Sequence, residues 1–340
     1  MLCWRKGTKL EKSIRNELIS LLINNYDQFI SGEEISRRVG CSRAAIWKHI
    51  EELRHEGYEI EARPRSGYRL IYRPDRIAPE EILPYLHTDR FGREMRYEPT
   101  TPSTQVIAHQ WAREGAPEGA LVIAEEQKQG RGRLGRTWHS PPQTGIWMSL
   151  ILRPPIPLTD ASHLTLLASV GVREGMYRVT GLPIRIKWPN DLLIDGKKVC
   201  GILTELRGEQ DRIHYVILGI GINVNADVNQ WPDDIKDVAT SLAKEKGTKI
   251  HRPPLVAAIL EELEQIYDRY LREGFSFIRE KWEETAGMLG QTITARTTQG
   301  SVTGVAMRLN EQGALLIRTA TGITPVYSAE VEWDAGGNRS

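Results

Sequence analysis

The chain has 340 residues, 40% hydrophobic and 26% charged, and its 45 Lys and Arg against 44 Asp and Glu leave a formal net charge of +1. This is an ordinary globular composition with room for two or three domains, which excludes a disordered or fibrous chain. The near-neutral balance means that any surface built for nucleic acid must be local.

No run approaches the roughly 18 apolar residues of a membrane span, and the opening MLCWRKGTKLEKSIR lacks the apolar core of a secretory leader. Cys3, Cys41 and Cys200 have neither metal-ligand nor C-x-x-C spacing. A reducing, cytoplasmic setting without a membrane partner is expected.

From Lys9 to Tyr72 the pattern is helix, helix, helix, hairpin. SIRNELISLLINN puts Ile14, Leu18, Leu21 and Leu22 on one helical face. In SGEEISRRVG, Ser31 is an N-cap, Glu34 its capping-box partner and Gly40 the stop. A further helix begins at the cap Ser42, turns Ile46, Ile50 and Leu53 inward and ends at Gly57. YEIEARPRSGYRLIY alternates about a Pro64/Ser66-Gly67 turn, the signal of a hairpin.

Two short helices joined by VGCS have helix-turn-helix proportions. Ser42, Arg43, Lys48 and His49 lie in the half of the second helix that enters a major groove in such motifs, and Arg63, Arg65 and Arg69 surround the hairpin turn as a wing gripping phosphates. Trp47 can either touch DNA or pack beside Ile46 and Ile50. The proline-containing RPDRIAPEEILPYL reads as a linker.

Strand-like and helix-like stretches then mix. ALVIAEEQ, GIWMSLIL, IRIKWP, KVCGILTEL and HYVILGIGINV are strand-like, and STQVIAHQWARE, LTLLASVGVREGMYRV and RPPLVAAILEELEQIYDRYLR are helix-like. FSFIREKWEETAG reads as a last short helix. From about Gly290, short alternating strands with Gly at most turns have the texture of a small β-barrel.

GRGRLGRTW, Gly130 to Trp138, matches the G-x-G-x-x-G dinucleotide pattern after a strand. The pattern also needs a helix and an acidic residue about 20 positions on. Pro141 and Pro142 preclude the helix, and PPIPLTD is not the end of a second strand. What remains is a glycine loop with three arginines, suited to a condensed anion such as a nucleotide phosphate chain or an acyl phosphate.

KWPNDLLIDGKKVCGILTEL, Lys187 to Leu206, places a lysine, an amide and a carboxylate at a strand-to-turn edge, followed by a hairpin tip at Asp195-Gly196. This group can hold phosphate and Mg²⁺. On spacing alone, Asn190-Asp191 reads as a plain Asx turn and Lys198 as a solvated surface charge. No Walker loop, G-x-S-x-G elbow or H-E-x-x-H is present, so positioning and electrostatics are the expected mode of any catalysis.

Together these stretches resemble the biotin–protein ligases of the bifunctional bacterial type, which double as repressors of the biotin operon. GRGRLGRTW and KWPNDLLIDGKKVCGILTEL are similar to the family's two signatures, and PSTQ (Pro102 to Gln105), AEEQ (Ala124 to Gln127) and GIGINV (Gly219 to Val224) fall in the family's order.

The resemblance covers nearly the whole chain and implies an α+β multidomain fold. Residues 1–73 would form a winged helix-turn-helix, 74–286 a central α/β biotin/lipoyl-ligase-type catalytic domain with a mixed sheet, and 287–340 a C-terminal SH3-like β-barrel. It implies attack of the biotin carboxylate on ATP to give biotinyl-5′-AMP. A lysine of the biotin carboxyl carrier protein of acetyl-CoA carboxylase, or of another biotin enzyme, then takes the biotinyl group. The adenylate is also the implied corepressor, favouring a homodimer on operator DNA.

By the same resemblance, Lys198, Arg133 and Asp191 are catalytic. Ser103, Thr104, Gln105, Gln127, Arg131, Gly132, Arg133 and Lys198 bind biotin, with Gln105 standing where some relatives carry Asn. Arg136, Trp138, Lys187, Asn190, Asp191 and Asn223 bind ATP and the adenylate. No protein-only metal site is implied, Mg²⁺ arriving with ATP. A metabolite-sensing repressor without turnover and a lipoate ligase are the rival readings.

Overall fold

The computed structural model describes residues 9–209 and 212–333. They divide into two compact units, one ending at Tyr85 and the other starting at Leu86. Cys3, and the parts of the two outer expected domains at 1–8 and 334–340, lie outside the described residues.

The first unit follows the pattern of its sequence: α1 (Lys9–Asn24), α2 (Gly32–Val39), α3 (Arg43–His55), β1 (Glu59–Arg63) and β2 (Gly67–Tyr72), with the two strands antiparallel. Ser31 Oγ accepts the Glu34 N–H at 3.1 Å and Ser42 Oγ that of Ala45 at 3.3 Å, satisfying donors that a helix start leaves open. Glu34, expected to return the bond to the cap, pairs with Arg38 at 2.7 Å. Gly40 ends α2 in the left-handed region. Leu18, Leu22, Ile35, Ile46, Ile50, Leu53, Tyr58 and Leu70 form one core.

The stretch read as a linker belongs to this unit. Residues 79–82 form a helical turn, α4 (Pro79–Ile82), with Pro79 at a first-turn position where its missing N–H costs nothing. Arg76 donates to Glu56 at 2.9 Å, Arg15 reaches the same carboxylate at 2.6 Å, and the Tyr58 hydroxyl bonds Glu81. The unit therefore runs past the boundary expected at residue 73, because these polar anchors and Tyr85 hold the segment against α1 and α3.

The second unit contains a seven-stranded mixed sheet in the order β3-β4-β5-β9-β8-β7-β6. Its strands are β3 (Met95–Glu98), β4 (Leu121–Ala124), β5 (Gly145–Leu152), β6 (Arg185–Lys187), β7 (Asp191–Ile194), β8 (Lys197–Glu209) and β9 (Arg212–Asn223). Only β3 and β4 pair in parallel. The β7–β8 hairpin turns at Asp195 and Gly196, both at positive φ (46° and 79°), as a tight two-residue hairpin requires.

Helix α5 (Thr104–Arg113) covers one face of this sheet, its Ala108 and Ala112 packing on Val122, Ile151 and Ile217. Side chains alternate along a strand, so Thr204, one residue from Leu203, points to the other face. There it meets Thr165 of α6 (Ala161–Thr180) at 2.8 Å. After β9 come α7 (Asp233–Lys236), α8 (Leu242–Lys246), α9 (Arg252–Glu273) and α10 (Ser276–Thr285). Helix α9 crosses α6 closely, with Leu263 and Ile259 over Gly171 and Gly175.

The C-terminal strands β10 (Thr292–Thr297), β11 (Gly300–Leu309), β12 (Leu315–Thr319), β13 (Gly322–Val326) and β14 (Glu330–Glu332) pair antiparallel in the order β13-β12-β11-β10-β14. Among the described residues this ladder stays open between its two edges, an SH3-like set of strands without a closed ring. Trp188 Nε1 donates to Gly313 O at 3.3 Å and His163 meets Glu311 O at 2.9 Å, which joins this sheet to the central one in a single unit. No helix among the described residues is long and apolar enough to cross a membrane.

Gly67 carries the fit between hairpin and helices: φ is +101°, and a Cβ there would lie 1.9 Å from Ile30 O. Ile30 and Tyr68 exchange two 2.9 Å backbone bonds beside it. Gly67→Ala is expected to destabilise this contact by at least about 2 kcal/mol, a roughly thirtyfold gain in amide exchange at Ile30 and Tyr68. Unchanged protection would contradict this.

Candidate active site

The site lies on the face of the central sheet that carries α5. On that face Gly201 of β8 stands opposite Gly221 of β9, and Gly219 opposite Leu203. The missing side chains leave a trough, and protein groups lie in it. Cβ atoms on Gly221 and Gly201 would sit 2.5 and 2.9 Å from the Trp138 indole, and one on Gly219 would sit 2.9 Å from Gln105. Trp138 meets Trp147 edge to face at 6.4 Å.

A cavity of about 620 Å³ opens over this floor. Every small-molecule residue expected from the sequence lines it: Ser103, Thr104, Gln105, Gln127, Arg131, Gly132, Arg133, Arg136, Trp138, Lys187, Asn190, Asp191, Lys198 and Asn223. Four separate stretches supply them, brought together by the sheet order.

The N-terminal end of α5 provides the first wall. Gln127 Oε1 accepts the Thr104 N–H at 2.9 Å and its hydroxyl at 3.1 Å, capping the helix in place of Ser103. The Ser103 hydroxyl is buried and finds no partner among the described residues, as is true of Trp138 Nε1. Buried polar atoms left unpaired are costly, and Trp138 Nε1 lies directly over Gly221 on the sheet floor.

The Gly-Arg loop contains no helix beyond a single 3₁₀ turn at Arg133–Gly135. It folds on itself through Gly132 N–H to Arg136 O (2.7 Å) and Trp138 N–H to Gly130 O (2.9 Å). The three arginines diverge. Arg131 is exposed. Arg133 is half-buried, donating to Asn190 Oδ1 and Ser328 Oγ at 2.9 Å each. Arg136 turns to Glu330 of β14 with two bonds of 2.6 and 2.7 Å.

The second signature supplies the opposite wall. Lys187 and Asp191 face each other across the turn between β6 and β7, which holds the cis Trp188-Pro189 bond. Lys198 Nζ lies 2.7 Å from Asp191 Oδ1 and 5.1 Å from the Trp138 ring centre. Its backbone pairs with the segment after α7, Lys198 N–H to Val238 O and Thr240 N–H to Lys198 O at 2.9 Å each. Asn223 Nδ2 donates to Thr240 O at 3.2 Å. Burial pushes the Lys187 ammonium below its ordinary range against the opposing pull of Asp191, and lowers Arg133 in the same way. The result is a basic, partly desolvated hollow with an indole wall, able to hold an anion chain beside an apolar body.

Sequence reasoning missed Ser328, Glu330 and the 238–240 segment. Nothing local in the sequence marks them, since Arg133 and Ser328 are 195 positions apart.

In the first unit, Ser42 is the cap of α3. Arg43 and Lys48 are exposed, 3.3 Å from Glu33 and 3.8 Å from Glu52 respectively. His49 is half-buried and bonded to Glu52 at 3.0 Å. Arg63 lies over the Phe29 ring at 4.8 Å, and Arg65 stands exposed at the hairpin tip with φ 67°. Arg69, also placed in the wing from sequence, is bound to Glu61 at 2.5 Å. Trp47 is 59% exposed, which rules out the reading that packs it beside Ile46 and Ile50.

Fold and cavity together define a ligase of the biotin and lipoate class carrying a helix-turn-helix unit. Residues 97–223 match the Biotin/lipoate A/B protein ligase family, 15–69 an HTH domain and 288–333 the Biotin protein ligase C terminal domain. The chain is 48% identical to the Bifunctional ligase/repressor BirA of Bacillus subtilis, covering 95% of this chain and 99% of that protein. It is 28% identical to its namesake from Escherichia coli, covering 94% and 97%. The biotin protein ligase of Aquifex aeolicus in complex with biotin and ATP superposes with a TM-score of 0.63 at 30% identity, over 71% of this chain and 100% of that one. The chain belongs to the bifunctional ligase/repressor family.

The Arg136–Glu330 pair fastens the loop, and the Arg136 hydrogen bond holds the Glu330 carboxyl below its usual range. A lowered carboxylate contributes fully above the unfolded pKa and loses its contribution as pH falls through the folded value, so the fastening is complete from about pH 5 upward. Being half-exposed, it is worth only about 0.5–1 kcal/mol. Glu330→Gln is expected to speed tryptic cleavage in 131–136 about two- to fivefold at neutral pH. Equal cleavage rates in the two proteins would show that the pair does not hold the loop.

Proposed function

We propose that this chain joins biotin to a lysine of the biotin carboxyl carrier protein through biotinyl-5′-AMP, consuming ATP, and that the same adenylate turns the N-terminal unit into a repressor of genes for biotin synthesis and transport. The observation that carries the reading is the cavity: Arg131, Arg133, Lys187 and Lys198 line it together with Asp191, over a glycine floor. The near-full-length match to a bifunctional ligase/repressor supports both halves.

The first step brings two anions together, the biotin carboxylate and the α-phosphate, and then releases pyrophosphate. Cations already fixed in a partly dry hollow offset that repulsion without reorganising during the reaction. Lys198 is placed for the carboxylate and α-phosphate oxygens where charge builds, with Asp191 and the Trp138 ring holding its ammonium group. Arg133, braced by Asn190, closes over the adenylate, and Lys187 serves the phosphates, whose negative charge opposes the effect of burial on its ammonium. Ser103, Thr104, Gln105, Gln127, Arg131 and Gly132 enclose biotin. Trp138 and Asn223 border the nucleotide. Arg136, engaged by Glu330, acts on it through the loop.

No cluster of three metal-ligating side chains is present among the described residues, and Asp191 is the carboxylate best placed to complete the shell of a Mg²⁺ ion arriving on the phosphates. Such an ion would neutralise phosphate charge during release of pyrophosphate. In the second step the carrier amine attacks the acyl carbon and AMP departs. The loop's cover keeps water from competing for the anhydride.

For the regulatory half, Ser42 at the cap of α3 and Arg43, Lys48 and His49 within it face the major groove, while Arg63 and Arg65 meet phosphates from the wing. A homodimer on a palindromic operator is the matching arrangement. The setting is the cytoplasm.

Lys198→Ala is expected to lower ATP–pyrophosphate exchange at least about a hundredfold with the fold intact, since it removes charge but little core. Near-normal exchange would remove Lys198 from the chemistry. Arg65→Ala is expected to weaken operator binding and reduce its salt dependence by about one released ion, read by gel shift across a salt series. An unchanged slope would take Arg65 off the phosphate backbone.

A further inference from the structure

Behind the wall formed by Gln105 lies a polar chain that the reaction as derived does not use. Gln105 Nε2 donates to Glu205 Oε2 at 2.8 Å and to Leu203 O at 3.4 Å, while its Oε1 accepts the Ser149 hydroxyl at 2.9 Å. Glu205 is held in turn by His109 Nε2 at 3.2 Å, and His109 Nδ1 lies 3.3 Å from the Tyr215 hydroxyl. Glu205 and His109 do not line the cavity, whereas Gln105 does. Gly219 beneath it leaves the amide room to lie flat.

An amide has two N–H donors and two lone pairs on its oxygen. Here both donors are spent and one lone pair is used, so the amide can offer a ligand only an acceptor, the second lone pair of Oε1. A primary amide turned end for end would offer a donor instead, and the carboxylate of Glu205 forbids this because it accepts and cannot donate. We propose that Glu205, clamped by His109, is a positioning residue that fixes the orientation of Gln105 so that the cavity presents an acceptor to an N–H of the biotin head. This rests on the reading that Gln105 meets the ureido group. It gives the pocket a polarity: heads bearing an N–H at that point are admitted, and heads bearing only acceptors or a hydrophobic group are disfavoured.

Supporting features agree. The His109 hydrogen bond, and to a lesser degree that from Gln105 and the charge of Arg131, hold the Glu205 carboxyl below its usual range, so it stays a pure acceptor at neutral pH. The Ser149 hydroxyl that serves Gln105 also meets Thr104 at 2.8 Å, and Thr104 meets Gln127. The orientation set at Glu205 therefore extends to the Ser149 hydroxyl on the biotin side of the cavity, while the phosphate side is served by Lys187, Asn190, Asp191 and Lys198.

The test compares Gln105→Ala, Glu205→Ala and Glu205→Gln in the full chain, measuring KM for biotin, KM for ATP and kcat by ATP–pyrophosphate exchange, with unfolding midpoints as a control. Freeing the amide to flip is expected to raise the biotin KM of Glu205→Ala about tenfold, the scale of one misdirected hydrogen bond, with ATP KM and kcat within about twofold. Glu205→Gln, whose own carbonyl can still accept from Gln105, is expected to recover most of the loss. A raised biotin KM in Gln105→Ala with a wild-type value in Glu205→Ala would overturn the positioning role alone. So would a Glu205→Ala protein in which both KM values rise as the midpoint falls, or a Glu205→Gln protein no better than the alanine variant. A wild-type biotin KM in Gln105→Ala would remove the contact with biotin, and the positioning role with it.

Discussion

The structure depends on a strip of bare backbone. Where β8 and β9 pair, Gly201 faces Gly221 and Gly219 follows two residues along, so at these three positions the functional face of the central sheet carries no side chain. Any Cβ there would collide with Trp138 or Gln105 at 2.5 to 2.9 Å. Interiors are packed too closely to absorb such overlaps, so the trough is a steric requirement and not slack. Everything in the site is arranged about it: Trp138 lies over it, Gln105 crosses one end, and Lys198 reaches in from the β7–β8 hairpin.

Around that floor, charge is gathered and restrained. Five cations line the hollow, in which Asp191 is the close carboxylate partner of Lys198 and Glu330 that of Arg136. Holding like charges together costs free energy that an anionic ligand returns, which ties ligand binding to order in the loop. The loop is braced from two sides, through Asn190 on the central sheet and through Ser328 and Glu330 on the C-terminal one. The C-terminal strands thus contribute to the site by holding the arginines that border it.

Much of this could be read from the chain because local rules act locally. Ser31 and Ser42 cap helices where their sequence places them, and Asp195-Gly196 makes the hairpin tip that its residue types dictate. The prolines after Trp138 ruled out a dinucleotide turn, and no helix follows there. What escaped involves partners remote in sequence. Glu330, Ser328 and Glu205 are ordinary polar residues until strand order brings them to the site. The stretch from Arg73 to Leu86 looked like a linker because prolines mark breaks, yet a break in helix is not a break in packing once Arg76 and Glu81 find partners just after α3. Trp47 had two readings because helical periodicity places it at the border of the apolar face, and only the folded unit shows it outside. The open ladder of β10–β14 follows from strand pairing, which alternation alone does not specify.

On the proposed function, this cavity makes the acyl-adenylate of biotin and passes the biotinyl group to a carrier lysine. The most direct measurement is the intact mass of an apo carrier domain after incubation with the full chain, ATP and Mg²⁺, with biotin in one sample and lipoate in another. One biotinyl group added per carrier in the biotin sample, and no added mass with lipoate, is the predicted result. Modification by lipoate in place of biotin, or an unmodified carrier in both samples, would contradict it.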